Sequence, residues 1–152
     1  MALSAIDRAI LRILQNDGRI TYSDLARQVG LSTSPCIERV RKLERQGYIS
    51  RYSALLNPDK LDAGLVVFVM IRMDRTSKNN FDSFRRSANL LPEVQECYLT
   101  TGNFDYLIKA RVRDIAEYRD LLEDTLLSIE GVQETTSIVA MEAVKESLTL
   151  NI

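Results

Sequence analysis

The chain of 152 residues contains no histidine. Imidazole is the usual general base of nucleophilic catalysis and a frequent zinc ligand, so its absence excludes Ser-His-Asp and Cys-His triads and HExxH zinc sites. The six glycines form neither a GxxxxGKS nor a GxGxxG phosphate loop after any predicted strand. We therefore predict that the protein is not an enzyme and has no catalytic residue, no metal site and no cofactor.

Cysteines and long apolar runs are also scarce. The longest apolar run, residues 65–71, is far too short to cross a bilayer, and the first residues lack the charged and apolar regions of a secretory signal. Cys36 and Cys97 have neither metal-ligand nor redox spacing, which is typical of small buried side chains in a reducing compartment. We expect a soluble, cytoplasmic protein.

The net charge of −1 hides an uneven distribution of charge. Residues 1–51 carry nine Arg or Lys against five Asp or Glu, a net charge of +4, whereas residues 52–152 have a net charge of −5. Such asymmetry suggests an N-terminal part that faces nucleic acid and an acidic part with another task.

The N-terminal part begins with two short helices. Apolar residues recur at helical spacing in residues 4–16, and the sequence NDG ends this stretch. Thr21 and Asp24 have the form of a capping box, in which the hydroxyl satisfies a free amide while the carboxylate reaches back. The second helix that they start ends at Gly30.

A third helix has two different sides. It begins near Ser32, whose hydroxyl can cap it, and stops before Gly47. Pro35 is tolerated in the first turn because the amide it lacks has no intrahelical partner there. A wheel of 100° per residue gives this helix one apolar side, formed by Cys36, Val40 and Leu43.

A short helix, a tight turn and a second helix with a basic outer side form a helix-turn-helix pattern, in which the second helix enters the DNA major groove. Hydroxyls and free amides at its N-terminus can bond phosphates or base edges, and Arg or Lys further along can neutralise phosphates or read guanine. The predicted DNA-binding residues are Ser32, Thr33, Ser34, Pro35, Glu38, Arg39, Arg41, Lys42 and Arg45.

The alternative is a solvated surface helix without a DNA role. In that case the basic residues simply pair along the helix with Glu38 and Glu44. The turn at Gly30, the short helix before it and the charge asymmetry favour the DNA-binding interpretation.

Residues 56–64 gather Asn, Pro, Asp and Gly and mark a domain boundary. Beyond it the pattern predicts strand, helix, strand, strand, helix and strand, in residues 65–73, 78–91, 94–101, 106–112, 114–128 and 132–144. This order is that of a ferredoxin-like βαββαβ sandwich, so the fold class is α+β with a winged-helix-like helix-turn-helix in front. We predict a DNA-binding domain in residues 1–50, a hinge strand and linker in 51–64, and the ferredoxin-like domain in 65–152.

In a ferredoxin-like sandwich both helices cover one face of the sheet and leave the other bare. The first strand is nevertheless apolar on both faces, and its second face carries Val66, Phe68 and Met70. We therefore expect two subunits to pack sheet against sheet, which also pairs two helix-turn-helix units for two half-sites.

Five stretches together resemble a known family: DRAILRILQNDGRI, LARQVGLSTSPCIERVRKLERQGYI, YSALLNP, ECYLTTGNFDYLIKARV and VAMEAVKESLTL. They are similar to the Lrp/AsnC family of bacterial transcription regulators, and most similar to its leucine-responsive branch. The resemblance implies a winged or near-winged helix-turn-helix, a hinge strand, and a ferredoxin-like domain that binds free amino acids and assembles dimers, often four of them into an octamer.

The resemblance also implies an effector pocket at the hairpin LTTGNFDY, with Gly102 and Asp105 at the family's motif positions. Backbone amides around Gly102 can receive the carboxylate of an amino acid, Asp105 can accept from its ammonium, and Leu99 can contact its side chain. Alternatively, Gly102 and Asn103 only make a tight turn whose backbone Asp105 bonds. The predicted effector-binding residues are Leu99, Thr100, Thr101, Gly102, Asn103, Phe104 and Asp105.

We thus expect a dimeric or larger DNA-binding transcription regulator whose acidic domain senses a free amino acid, leucine or alanine in the first place, and thereby shifts DNA binding or assembly. Its expected partners are double-stranded DNA, further copies of itself and the amino acid, and not a membrane. The competing hypothesis is a ferredoxin-like small-molecule-binding or enzymatic protein whose basic helices serve only assembly.

Overall fold

The chain passes twice between two structural units. The computed structural model describes residues 3–74 and 78–152. One unit consists of Met1–Leu55 together with Lys145–Ile152, and the other is Leu56–Val144. The first passage lies inside the predicted linker. The second passage, after Val144, differs from the predicted domain end, because Lys145–Ile152 belongs to the N-terminal unit.

The N-terminal unit contains three helices, α1 (Ala5–Leu14), α2 (Tyr22–Val29) and α3 (Thr33–Arg45). A complete capping box starts α1, because the Ser4 hydroxyl accepts from the Asp7 amide and the Asp7 carboxylate accepts from the Ser4 amide. At α2 the Thr21 hydroxyl accepts from the Asp24 amide at 3.1 Å, but the Asp24 carboxylate bonds this hydroxyl instead of the backbone. Gly30 ends α2 with a φ of 71°, a left-handed conformation that suits glycine.

The apolar sides of these helices meet in one core. Ile10 of α1, Leu25 of α2 and Val40 of α3 are fully buried, and Cys36 is buried beside them as predicted. Burial of an aliphatic side chain stabilises the fold by about 1.5–3 kcal/mol. The same burial determines which side of α3 faces outward.

The segment after α3 is irregular. Among the described residues the first strand begins at Leu65, so the predicted hinge strand in residues 51–64 forms no ladder. A short 3₁₀ turn, Pro58–Leu61, lies in this segment, and the Asn57 side chain accepts from the Asp59 amide at its start. A strand needs a neighbour to satisfy its amides, and this stretch has no such neighbour within one chain.

The second unit is a four-stranded antiparallel sheet with helices inserted between the strands. Its elements are β1 (Leu65–Met73), α4 (Lys78–Ala88), β2 (Val94–Leu99), β3 (Tyr106–Val112), α5 (Ile115–Asp120) and β4 (Val132–Val139). The strand order β2-β3-β1-β4 is that of a ferredoxin-like sandwich, which confirms the predicted fold. Pairing of β4 ends at Val139, earlier than the predicted residue 144.

The helix after β3 changes its winding along its length. Beyond α5 it continues as a π-helical turn, Leu121–Thr125, and a 3₁₀ turn, Leu126–Ser128. Beyond the wider turn Leu126 is fully buried. Ile115 at the start of α5, which helical spacing predicts to face inward, is 60% exposed.

The two faces of the sheet differ in burial. Alternate residues of β1 and β3 pack under the helices in a core formed by Val67, Val69, Ile71, Met73, Tyr106, Ile108, Ala110 and Val112. On the opposite face Met70 pairs with both Leu107 and Thr136, and Phe68 pairs with Ile138, which is 51% exposed. Cys97 is exposed on the edge strand β2, which corrects its predicted burial.

Candidate DNA-binding helix and ligand pocket

Helix α3 presents the predicted DNA-binding residues on one accessible side. Cys36, Val40 and Leu43 anchor its inner side in the core. The residues at its start are exposed, and so is the outer side further along, which leaves the following side chains accessible: Ser32, Thr33, Ser34, Pro35, Glu38, Arg41, Lys42 and Arg45. Ser32 occupies the N-cap position, but its hydroxyl makes no capping hydrogen bond, contrary to our prediction. The free amides of the first turn therefore face outward together with three hydroxyls.

Three basic side chains on the outer side of α3 form no ion pair with neighbouring carboxylates of the described residues. Within the described residues Arg41, Lys42 and Arg45 have no carboxylate oxygen within 4.0 Å. Glu44, which the alternative interpretation pairs with them, accepts instead from the Tyr52 hydroxyl at 2.9 Å. The outer side of α3 is therefore a positively charged surface, and the surface-helix alternative loses its main support.

Arg39 differs from the other predicted DNA-binding residues. It is half-buried, and its guanidinium lies 3.0 Å from the Asp7 carboxylate of α1. The Ser4 hydroxyl and this guanidinium both bond Asp7, and together they hold its pKa below the ordinary value. Arg39 thus fixes α3 against α1.

The predicted effector hairpin is tied closely to β1. Asp105 is 5% exposed, and its carboxylate Oδ2 accepts from the Met73 amide at 2.8 Å. The Asp105 amide donates to the Ile71 carbonyl, and the Thr100 amide donates to the Asp105 carbonyl, each at 2.8 Å. Asp105 therefore bonds the neighbouring strand β1 through its side chain and amide, and the hairpin itself through its carbonyl. Gly102 at the tip has a φ of 111°, a conformation that glycine favours.

An open concavity of about 280 Å³ lies beside this hairpin on the bare face of the sheet. It is lined by Met70, Arg72, Asn103, Phe104, Glu134 and Thr136. Two of the predicted effector-binding residues, Asn103 and Phe104, line the concavity, whereas Asp105 lies buried next to it. Leu99 is exposed at the end of β2 and is not part of the lining.

Opposite charges meet at the edge of this concavity. Arg72 lies 3.0 Å from the Glu134 carboxylate on the adjacent strand, and its Nε donates to the Asn103 carbonyl at 3.2 Å. The sequence analysis did not single out these two charged residues. A signal was present, since Arg72 is the one charged residue in the run LVVFVMIRM and falls on the parity of the bare face.

Residues 3–74 and 78–152 contain neither a metal-binding cluster nor a membrane-spanning helix. No group of three acidic or cysteine side chains there has the arrangement of a metal site. In the same part of the chain, no helix is long and apolar enough to span a bilayer.

Two known domain families match most of the chain. Residues 66–150 match the Lrp/AsnC ligand binding domain, and residues 3–50 match a winged helix-turn-helix DNA-binding domain. The leucine-responsive regulatory protein of Escherichia coli K12 is 53% identical over 145 residues, which cover 95% of this chain and 88% of that protein.

Solved structures show the same similarity. A transcriptional regulator from Neisseria meningitidis, solved as its L-methionine complex, has a TM-score of 0.95 and 36% identity, covering 99% of this chain and 97% of that one. An AsnC family transcriptional regulator from Agrobacterium tumefaciens has a TM-score of 0.94 and 40% identity, covering 98% and 97%. The chain therefore belongs to the Lrp/AsnC family of transcription regulators, which are not enzymes and which join a helix-turn-helix DNA-binding domain to an amino-acid-binding domain.

Proposed function

We propose that this regulator reads DNA with the outer side of α3 and that an apolar amino acid, bound beside the 99–106 hairpin, changes its DNA affinity. The observation that carries the DNA-binding part is the exposed basic surface of Arg41, Lys42 and Arg45, which are free of acidic partners in the described residues. A charged group without a protein partner is available to neutralise phosphate.

The two ends of α3 suit different contacts with DNA. Ser32, Thr33 and Ser34 combine hydroxyls with amides at the positive end of the helix dipole, so they suit phosphates or base edges near the helix start. Lys42 and Arg45, a turn or more further on, suit phosphates along the groove. Arg39 serves this arrangement indirectly by holding α3 on α1.

Charge reversal tests this assignment. We expect Lys42→Glu with Arg45→Glu to abolish specific binding to the DNA upstream of the protein's own gene, measured by fluorescence anisotropy across a salt series. Each lost phosphate contact should reduce the slope of the logarithm of the binding constant against the logarithm of the salt concentration by about 0.9. Lys60→Glu with Arg119→Glu is the control, because both residues are exposed and lie outside the N-terminal unit. Equal losses in the two double variants, or retained binding in the first, would contradict the role of α3.

The concavity supports an apolar amino acid as the effector. Arg72 and Glu134 can receive a carboxylate and an ammonium, and Met70 and Phe104 offer apolar surface to a side chain. An exposed ion pair contributes only about 0–1 kcal/mol, so a zwitterion can replace the contact between Arg72 and Glu134 at little cost. Leucine and methionine fit this combination of charges and apolar lining, and alanine fits it with less apolar contact.

Calorimetry with single amino acids tests the effector. We expect leucine or methionine to bind more tightly than alanine, and lysine and aspartate not to bind. Arg72→Gln should weaken binding at least tenfold, whereas Arg119→Gln, an exposed arginine of α5, should leave it unchanged.

Asp105→Asn separates structure from ligand binding. Asparagine retains an oxygen for the Met73 amide but removes the negative charge. We expect this variant to remain folded and to lose the response of DNA binding to the amino acid. An unchanged response would remove Asp105 from the effector site, and a wild-type protein that binds no amino acid would overturn the effector proposal.

We also propose that two subunits pack through the bare sheet face and that dimers assemble further, as an octamer of four dimers. The half-exposed apolar residues on this face, among them Ile138, support this arrangement.

A further inference from the structure

The last residues of the chain, Lys145–Ile152, dock on α1 of the DNA-binding unit. The Gln15 side chain meets both backbone groups of Leu150: its Oε1 accepts from the Leu150 amide at 2.9 Å, and its Nε2 donates to the Leu150 carbonyl at 3.0 Å. A glutamine amide offers the same donor and acceptor as a peptide group, so Gln15 replaces a neighbouring strand.

Two further contacts hold this segment on the three-helix unit. Arg12, on the same side of α1 as Gln15, donates from Nε to the main-chain oxygen of Ile152. The Ile152 side chain packs against the core of the three helices, whereas the Leu148 and Leu150 side chains point into solvent. These contacts hold the segment through the backbone of Leu150 and Ile152 and through the Ile152 side chain.

The helix that receives this segment also holds the DNA-binding helix. Asp7 of α1 bonds Arg39 of α3, and Ile10 packs in the same core as Val40. Undocking of the segment removes hydrogen bonds from Arg12 and Gln15 at the end of α1. At its C-terminal end helix α1 thus contacts the segment, and at its N-terminal end it bonds α3 through Asp7.

We infer that Lys145–Ile152 is a strap that carries the response of the ligand-binding unit to α3. A single flexible connection lets two domains reorient freely, whereas a second docked connection restricts them. Here the first connection leaves the DNA-binding unit at Leu55, and the strap returns from β4 and clamps α1. Ligand binding that favours the docked or the undocked strap then alters the positioning of α3. The inference rests on the proposed effector function.

Leu150 allows a matched test in the full-length protein. Leu150→Pro removes the amide that donates to Gln15, whereas Leu150→Ala removes only an exposed side chain and keeps the amide. Gln15→Ala removes both hydrogen bonds from the other partner. We measure hydrogen exchange of the strap and of α1, calorimetric binding of leucine and methionine, and the fold-change in DNA Kd that the amino acid causes.

We expect the strap to be protected from exchange in the wild type and in Leu150→Ala, and to exchange as a free chain in Gln15→Ala and Leu150→Pro. The latter two should bind the amino acid within twofold of wild type, yet their ligand-induced fold-change in DNA Kd should fall at least threefold. An undiminished fold-change with an undocked strap, or an unprotected strap in the wild type, overturns the inference. Failure of the wild type to bind an amino acid is a different result, since it contradicts the proposed effector while the exchange data still decide whether the strap docks.

Discussion

Tyr52 connects the segment after α3 to α3 itself. Its hydroxyl donates to the Glu44 carboxylate at 2.9 Å, and its ring lies beside Gly18, where an added Cβ would approach it to 3.5 Å. Partial burial and the negative charge of Glu44 raise the pKa of Tyr52 to about 12. The phenol therefore stays protonated, and keeps donating, at a pH where an ordinary tyrosine has ionised.

Tyr52→Phe should lower stability most at neutral pH. The pKa of Tyr52 in the folded protein lies above the ordinary value of 10.0. The contribution of the protonated phenol to folding stability is therefore complete below pH 10 and is lost as the pH rises toward 12. We expect a difference below about 1 kcal/mol, because the pair is partly exposed. Denaturant unfolding at pH 8, 10 and 11 measures it, with Tyr22→Phe as the control. A difference that grows above pH 10 would contradict the assignment.

Asp7 gives the opposite pH dependence. Hydrogen bonds from Ser4 and Arg39 lower its pKa from 3.8, so its contribution is present above that pH and is lost in acid as the carboxylate protonates. Asp7→Asn should therefore destabilise the three-helix unit more at pH 7 than at pH 3, because the contribution of the carboxylate falls in acid. Thermal unfolding followed by circular dichroism at both pH values tests this. If Arg39→Gln reduces the cost of Asp7→Asn, the ion pair is responsible.

Some site residues are readable from the sequence and others are not. The outer side of α3 is predicted correctly because a helix repeats every 3.6 residues, so three buried residues determine the exposed side. The role of Asp105 in bonding Met73 is not predictable, since these residues are distant in sequence and meet only through strand register. Arg72 and Glu134 become neighbours for the same reason.

Among the elements, the entry into β4 imposes the tightest steric requirement. Gly131 has a φ of 87°, and an added Cβ would lie 2.5 Å from the Asn80 Cβ of α4. Asn80 is 7% exposed and donates to the Asp74 carbonyl, so it cannot move aside without losing a buried hydrogen bond.

Gly131→Ala should therefore destabilise the sheet unit by roughly 2–4 kcal/mol, because it combines a strained φ with a clash against the buried Asn80 side chain. Gly47→Ala is a matched control, because Gly47 has a similar φ of 75° but no atom within 4 Å of an added Cβ. It should cost about 1 kcal/mol. Urea unfolding measures the free energy of unfolding of both variants. Equal losses would show that the Asn80 side chain moves aside without strain.

Element boundaries show where periodicity stops being informative. In the described part of the chain from residue 65 onward, the predicted order of strand, helix, strand, strand, helix and strand is confirmed. The π-helical turn after α5 is not predicted, since one wider turn changes the phase without changing composition. Before this turn Tyr118 is buried and its hydroxyl bonds that of Ser137 on β4, and after it Leu126 is fully buried.

At the scale of the whole molecule, the bare sheet face determines assembly in our proposal. Ile138→Lys puts a charge at the position that pairs with Phe68. We expect this variant to be monomeric by light scattering at concentrations where the wild type is dimeric or larger, because burying an unpaired charge is costly. Leu90→Lys is the control, as Leu90 is exposed and follows α4 on the helix side. Unchanged assembly in Ile138→Lys would place the interface elsewhere.

The docking of the C-terminal strap also has a consequence for the order in which the protein matures on the ribosome. The three helices are synthesised before the sheet unit, but Ile152, which packs on their core, is synthesised after it. At about 5–20 residues per second, the interval between the two is roughly 5–20 s. The three-helix unit of a nascent chain therefore lacks the packed Ile152 side chain until the sheet unit has been made, so in our proposal DNA binding and its regulation mature together.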